Sequence, residues 1–204
     1  QNPPDYYGRV VSEDAEGITL RGAKIHTSVS TNAHEIIVLP TRAMGEGDEA
    51  YAVACAVPAN APGLTMIASG YGRGGNEFEY PIASKHKMME TLTIFEDVKV
   101  PWDRVFLNGE VGMAGALAKT FVEYHRFTAI SYKLPLVDLF VGASYLMAEY
   151  NGVLRAGHVR DKLARLISYA QILRGMTREA ARECRTVDGI AGPDDETVNI
   201  AKLH

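Results

Sequence analysis

The sequence predicts an α+β protein: an antiparallel β-barrel or sandwich, then part of an antiparallel helical bundle. Three observations carry this. Through about residue 101, apolar and polar residues alternate in short runs, and Gly or Pro punctuates every junction. From about Met113 the apolar period becomes helical. Between the two lies LNGEVG (107–112), so the boundary falls there and the domains are 1–110 and 111–204.

In chain order, YGRVVSEDAEGITLRGAKIH alternates, breaks at Glu16-Gly17 and resumes, as a hairpin does. EIIVLP (35–40), AYAVACAVP (50–58) and GLTMIA (63–68) read as short strands. METLTIFEDVKVP (89–101) reads as one longer strand, or as two broken at Asp97. A helix is expected from about Met113 to Tyr150, stopped by Asn151-Gly152. Pro135 lies inside it and predicts a kink or break near Ala129–Lys133. A second helix runs from about His158 to Arg185, with Val159, Leu163, Leu166, Ile167, Ala170 and Leu173 as its apolar stripe. Asp194 or Asp195 can cap a third helix, beginning TVNIAKLH. No internal repeat or low-complexity tract is evident.

The bulk numbers are ordinary. The chain has 204 residues, 47% hydrophobic and 23% charged, as in globular domains. A net charge of −4 argues against nucleic acid as a partner. No apolar run reaches the ~18–20 residues of a membrane span. QNPPDYYGR lacks the features of a signal peptide. Cys55 and Cys184 are far apart, which predicts neither a disulfide framework nor a structural zinc site and fits a reducing, cytoplasmic setting. The chain lacks a starting Met and stops inside a helix, so it reads as an internal piece of a longer protein.

Four features bear chemistry. Gly70-Tyr-Gly72-Arg-Gly74-Gly75 matches G-x-G-x-x-G, but Pro81 and β-type residues follow where a dinucleotide fold needs a helix. It reads as a glycine loop between strands, with Arg73 at its tip. HTSVSTNAHE (26–35) is crowded with small hydroxyls, Thr27, Ser28, Ser30 and Thr31. Such composition suits a polar turn, or a surface facing a flavin edge or a phosphate. Glu90 starts a strand among apolar neighbours; it is a surface carboxylate, or an acid–base group if it faces a closed cavity. Finally, HRFTAISYK (125–133) puts polar groups in an apolar helix. Tyr132 follows His125 by seven positions and shares its face, while Lys133 lies about 80° round the axis. The three can line a cavity about 10–12 Å long, or each can be satisfied singly as a surface or snorkelling group.

Three stretches carry a resemblance: GAKIHTSVSTNAHEIIVLPTRAMGE (22–46), METLTIFEDVKVPWDRVFLNGE (89–110) and EYHRFTAISYK…GHVRDKL (123–163). In this order and separation they resemble the flavoprotein family of 4-hydroxyphenylacetate 3-hydroxylase and 4-hydroxybutyryl-CoA dehydratase. IFEDVKVPWDRVF is also similar to the signature of the wider acyl-CoA dehydrogenase-like fold. The resemblance implies that residues 1–110 are a middle β-domain and 111–204 the first part of a C-terminal bundle. It implies FAD between β-domain and bundle, completed by another subunit of a homotetramer. It makes Thr27, Ser28, Thr31 and Asn32 the flavin-contacting residues.

The family has two branches. The hydroxylase branch takes reduced FAD from a partner reductase and oxygenates a phenol. The dehydratase branch uses FAD and a [4Fe–4S] cluster on a CoA thioester. NAHE, Glu90, His125, Lys133 and GHVRDKL fall where the dehydratase branch has its cavity residues. Two departures stand out: that branch has a cluster cysteine where this chain has Tyr132, and a tyrosine where it has Ala129. A phenol is no substitute for a thiolate, so the resemblance implies FAD without the cluster and puts dehydration in doubt. The expected activity is a proton shift on an enoyl thioester. His125 and Glu90 would be acid–base groups, Lys133 the charge stabiliser and Tyr132 a donor. The alternatives are a two-component aromatic monooxygenase, or a scaffold that keeps the fold without flavin and is colourless.

Overall fold

The computed structural model describes residues 4–69, 77–85 and 88–203. They form two compact units, Gln1–Ala118 and Lys119–His204.

The first unit is built from two antiparallel sheets. β1 (Arg9–Glu13), β2 (Gly17–Ser28), β6 (Glu90–Pro101) and β5 (Leu64–Ala68) form one, in that spatial order. β3 (Glu35–Val38), β4 (Val53–Pro58) and β7 (Val105–Asn108) form the other. Ile18, Leu20, Phe95, Val98 and Val100 from the first sheet pack with Val38, Val53, Cys55 and Val57 from the second. Among the described residues the sheets stay separate, so the β-unit is a sandwich and not a closed barrel. Each large apolar side chain buried here contributes roughly 1.5–3 kcal/mol.

β4 is buried on both faces, which explains the unbroken apolar run AVACAV. Val53, Cys55 and Val57 face the sandwich, while Ala52 and Ala54 pack with Leu107 and Ala114 in a second cluster. Ala114 belongs to the start of α1 (Val111–Tyr150), so the first turns of that helix cover the outer side of the smaller sheet. The preceding residues 49–51 form a 3-10 turn, so the strand starts later than the apolar run does.

Two β-bulges shape the long β2–β6 ladder. Leu20 pairs with Val98 and Gly22 with Phe95, so Glu96 and Asp97 together oppose Arg21. The extra residue swaps the inward parity of β6: Thr91, Thr93 and Phe95 face in before it, Val98 and Val100 after it. β6 is therefore a single strand through Asp97, which sits at φ 56. The Arg21 guanidinium grips the Asp97 carboxylate at 2.6 and 2.9 Å. Gly22 has φ +123, and a Cβ there would lie 2.2 Å from the Tyr7 carbonyl oxygen. The second bulge lies on β2, where Ile25 and His26 oppose Leu92 between the pairs Lys24–Thr93 and Thr27–Thr91. His26 takes φ 62 to make it.

In the second unit, α1 continues with α2 (Gly157–Arg182), a hairpin of β8 (Arg185–Val187) and β9 (Ile190–Gly192), and α3 (Asp195–Leu203). Phe127, Ile130, Leu134, Val137 and Val141 recur at alternating spacings of three and four and form the core stripe of α1. They pack with Ala170, Leu173 and Ala180 of α2 and Val198 and Ala201 of α3. Of the expected α2 stripe, Ala170 and Leu173 are buried, whereas Ile167 is 46% exposed. α1 runs unbroken through Pro135, so of the expected kink or break the break does not occur. The proline removes a single N–H from the ladder, and its neighbours Leu134 and Val137 are held in the core. The helix ends as expected: Gly152 adopts φ 67 and the Val153 N–H reaches back to the Ala148 carbonyl at 2.9 Å. α2 stops at Arg182, short of the expected Arg185, because the β8–β9 hairpin begins there. Its turn is Asp188-Gly189, both at positive φ. Asp194 caps α3 by accepting the Thr197 N–H at 2.9 Å, and the Thr197 hydroxyl, followed by that N–H, holds its carboxyl below the usual aspartate value.

Candidate functional site

In the β-unit, the second bulge turns Thr27 to the same side of the sheet as Thr91 and Thr93. Thr93 Oγ1 donates to Thr27 Oγ1 at 3.0 Å. Thr91 and Thr93 share a hydroxyl contact of 3.0 Å, and Ser30 and Thr91 one of 2.7 Å. Ser30 and Thr91 also direct hydroxyls at the Thr27 carbonyl, at 3.0 and 3.3 Å. Ser30, Thr91 and Thr93 are buried, while Thr27 is half-buried. The predicted polar loop is thus the outer end of an internal hydroxyl ladder. Val29 holds a left-handed conformation at φ 60, and Ser30–Asn32 close a 3-10 turn behind it. A β-branched residue in that region is strained. Thr31 and Asn32 are exposed at the tip.

Glu90 opens β6 and pairs with Ser28. The Ser28 hydroxyl donates to Glu90 Oε1, and Glu90 Oε2 is buried with no hydrogen-bond partner among the described residues. An uncompensated buried acceptor is costly, so this oxygen marks a place for a hydrogen-bond donor. Sequence reasoning missed Thr91 and Thr93. The signal was present: two threonines two apart, in line with Phe95, on the inward side of a core strand. The expected glycine loop, Gly70–Gly75 with Arg73, lies outside the described residues.

A separate pocket of about 370 Å³ is lined by Tyr7, Lys24, Arg42, Met44 and Tyr51 among others. The Lys24 amine donates to the Leu39 carbonyl at 2.8 Å, and burial lowers its pKa. Burial pushes the neighbouring Cys55 thiol up to about 12, opposed by the charge of Lys24. Arg42 is held by Asp48 through bonds of 2.9 and 3.1 Å.

In the helical unit, His125 and Tyr132 share the face of α1 opposite its core stripe. The His125 ring is exposed and stacks on Phe121, with centroids 5.3 Å apart and planes 11° apart. Tyr132 is 58% exposed, Lys133 is half-buried, and Ala129 between the two polar groups is buried. Exposed Leu136, Leu139 and Phe140 follow on α1.

The antiparallel sandwich followed by helices is an acyl-CoA dehydrogenase-like fold. The structure superposes on butyryl-CoA dehydrogenase from Megasphaera elsdenii with a TM-score of 0.68 over 98% of this chain and 51% of that one, at 18% identity. The chain belongs to the 4-hydroxyphenylacetate 3-hydroxylase family. Residues 1–107 match its N-terminal sequence model and residues 114–204 its C-terminal one. It is 40% identical, over 80% of its length and 34% of the relative's, to 4-hydroxybutyryl-CoA dehydratase/vinylacetyl-CoA-Delta-isomerase from Clostridium aminobutyricum. It is 34% identical, over 91% of its length and 39% of the relative's, to the oxygenase component of 4-hydroxyphenylacetate 3-monooxygenase from Thermus thermophilus. The chain therefore spans little more than a third of these curated relatives. A crystal structure of such an oxygenase component complexed with FAD superposes with a TM-score of 0.87 at 31% identity, over 98% of this chain and 43% of that one. The relatives are flavin-dependent enzymes of two chemistries, and no helix of the described residues is long and apolar enough to cross a membrane.

The hydroxyl ladder suits a flavin. Thr27 accepts from Thr93 and keeps its own hydrogen, and Thr31 and Asn32 offer further exposed polar groups. Such a set matches the neutral, hydrogen-bonding edge of an isoalloxazine ring.

Proposed function

We propose that this chain is part of an FAD-dependent enzyme that moves a double bond in an acyl-CoA thioester, as an isomerase or lyase. The observation that carries the reading is Glu90. One carboxylate oxygen is held by Ser28 and the other is buried and, among the described residues, unpartnered, which leaves it open to a substrate. The 40% identity to a dehydratase/isomerase supports a CoA thioester as substrate.

In a 3-enoyl to 2-enoyl shift, a base removes a proton from C2. The C2–H pair forms the C2=C3 bond, and the former C3=C4 pair takes up a proton at C4. Glu90 and His125 would be acid–base groups. Lys133 would hold the enolate charge and Tyr132 would donate a hydrogen bond. Thr27, Ser28, Thr31 and Asn32 would hold FAD, which when bound supplies an electron-accepting ring. Tyr132 does not fit as a cluster ligand, so no step is assigned to iron. The active form would be a homotetramer in the cytoplasm, with the two domains meeting between residues 110 and 111.

The same absence of a thiolate at Tyr132 favours a second reading, a two-component aromatic monooxygenase fed by a flavin reductase. The 34% identity to an oxygenase component supports it. The deciding experiment uses the full-length protein with FAD. Conversion of but-3-enoyl-CoA to crotonyl-CoA without oxygen consumption supports the isomerase. Oxygen-dependent hydroxylation of 4-hydroxyphenylacetate on adding a reductase, with no reaction of the CoA ester, replaces it with the second reading. Flavin bands in the purified protein's spectrum would support either; a colourless protein that reacts with neither substrate would rule out both.

A further inference from the structure

The pocket of about 370 Å³ in the β-unit has no part in the reaction above. Lys24 enters it from the inward side of β2, two and four residues after Gly22 and Leu20. Gly8 lies against the lysine stem, since a Cβ there would stand 3.4 Å from Lys24 Cε. The amine gives one hydrogen to the Leu39 carbonyl at 2.8 Å, and a lysine ammonium has three to give. Among the described residues no carboxylate pairs with it. Its neighbours supply no negative charge. The Cys55 thiol keeps its proton at neutral pH. The Arg42 guanidinium is already matched by Asp48, through bonds of 2.9 and 3.1 Å. A cation withdrawn from water without a counter-ion is costly. The pocket therefore presents one unmatched positive charge with two free N–H donors. Tyr7, Met44 and Tyr51 give the rest of the lining its apolar and aromatic surface, and Tyr7 and Thr41 are exposed at the mouth.

We propose that this pocket is a binding site for a small monocarboxylic acid with a ring-sized apolar body. The carboxylate sits on the Lys24 amine and the body lies against Tyr7, Met44 and Tyr51. One cation matches one negative charge, whereas a phosphate dianion would bring a second charge with nothing to meet it. The cavity is within the roughly 300–1,000 Å³ of small-molecule sites. It shares no lining residue with the Ser28–Glu90 rung, and it holds whichever flavin chemistry the protein performs.

The test is calorimetric titration of the full-length protein with benzoate, its neutral isostere benzamide, and acetate. Benzoate is expected to bind saturably, with benzamide and acetate each at least about tenfold weaker, one lacking the charge and the other the ring. Lys24→Met is expected to weaken benzoate about tenfold to a hundredfold. Tyr7→Ala, at the exposed mouth, is expected to weaken benzoate several-fold and leave acetate unchanged. The benzoate–benzamide comparison and Tyr7→Ala leave Lys24 in place, so they decide the matter if Lys24→Met does not fold. No saturable binding of benzoate, benzamide as tight as benzoate, or benzoate affinity unchanged in either variant would overturn the proposal.

Discussion

Ser28 donates its hydroxyl hydrogen to Glu90 across one rung of the β2–β6 ladder, and the second carboxylate oxygen is buried and unpartnered among the described residues. The rung joins the end of one strand to the start of the other, so the loop's conformation and the carboxylate's position are set together. Replacing Glu90 by Gln keeps the shape and removes the base. Turnover of an enoyl-CoA is expected to fall by about 10²-fold or more, with flavin content unchanged. Ser28→Ala is expected to lose about tenfold, the effect of one hydrogen bond to a charged group. Steady-state kinetics with flavin quantified in the same samples checks both.

Tyr132 projects from the open face of α1, with 58% of its surface exposed. Tyr132→Phe removes a hydroxyl that no core contact needs. Stability in urea should change by less than about 0.5 kcal/mol, while kcat falls if the phenol donates to substrate. Ile130, two residues earlier, is fully buried in the helical core. Ile130→Ala should cost about 2–5 kcal/mol. An equal loss of stability in both variants would contradict the assignment of the two faces.

Thr19 is buried, and its hydroxyl has no hydrogen-bond partner among the described residues. Valine has nearly the same shape and suits a strand. Thr19→Val is expected to stabilise the protein by about 1 kcal/mol, read from a denaturation midpoint at unchanged slope. Gly22→Ala acts oppositely, because the new Cβ would meet the Tyr7 carbonyl at 2.2 Å in a conformation with φ +123. A loss of about 2 kcal/mol or more is expected from the same measurement.

The two thiols differ in reach. Cys55 is buried and its pKa is raised to about 12, whereas Cys184 is exposed. Native alkylation at pH 8 should label the peptide carrying Cys184 and spare that carrying Cys55 until the protein is unfolded. Linkage gives a second readout. Above the ordinary thiol value of 9.0 the unfolded chain loses the Cys55 proton while the folded chain keeps it. The contribution is therefore complete below pH 9 and is lost as pH climbs through about 12. Wild type should lose stability across that window more steeply than Cys55→Ala.

Much of this was legible in the sequence. The Glu16-Gly17 hairpin, the strand runs and the long helix follow from apolar period and punctuation, and three stretches carry the family. What escaped notice came from tertiary context. Alternation through METLTIFEDVKV changes phase at Asp97, and only the partner strand shows that a bulge keeps the strand whole. Pro135 is a helix breaker locally, yet flanking core contacts carry the helix past it. The apolar period carries the expected helix to Arg185 and predicts no element for residues 186–192, although Asp188-Gly189 is a strong hairpin signal. In the site, the loop hydroxyls were visible, but Thr91 and Thr93 sat on what read as an ordinary core strand. Their partnership with Thr27 depends on the bulge at His26, for which the local sequence gives no warning.

Val29 shows what this arrangement means for engineering. A glycine there would relax the left-handed backbone at φ 60 and, by that measure alone, make a sturdier protein. It would also let the hydroxyl loop wander from the rung that carries Ser28. Stabilisation campaigns select such relaxed positions readily, and the gain often comes with lost activity. Residue 29 is therefore one to keep fixed when the rest of the sandwich is optimised for robustness.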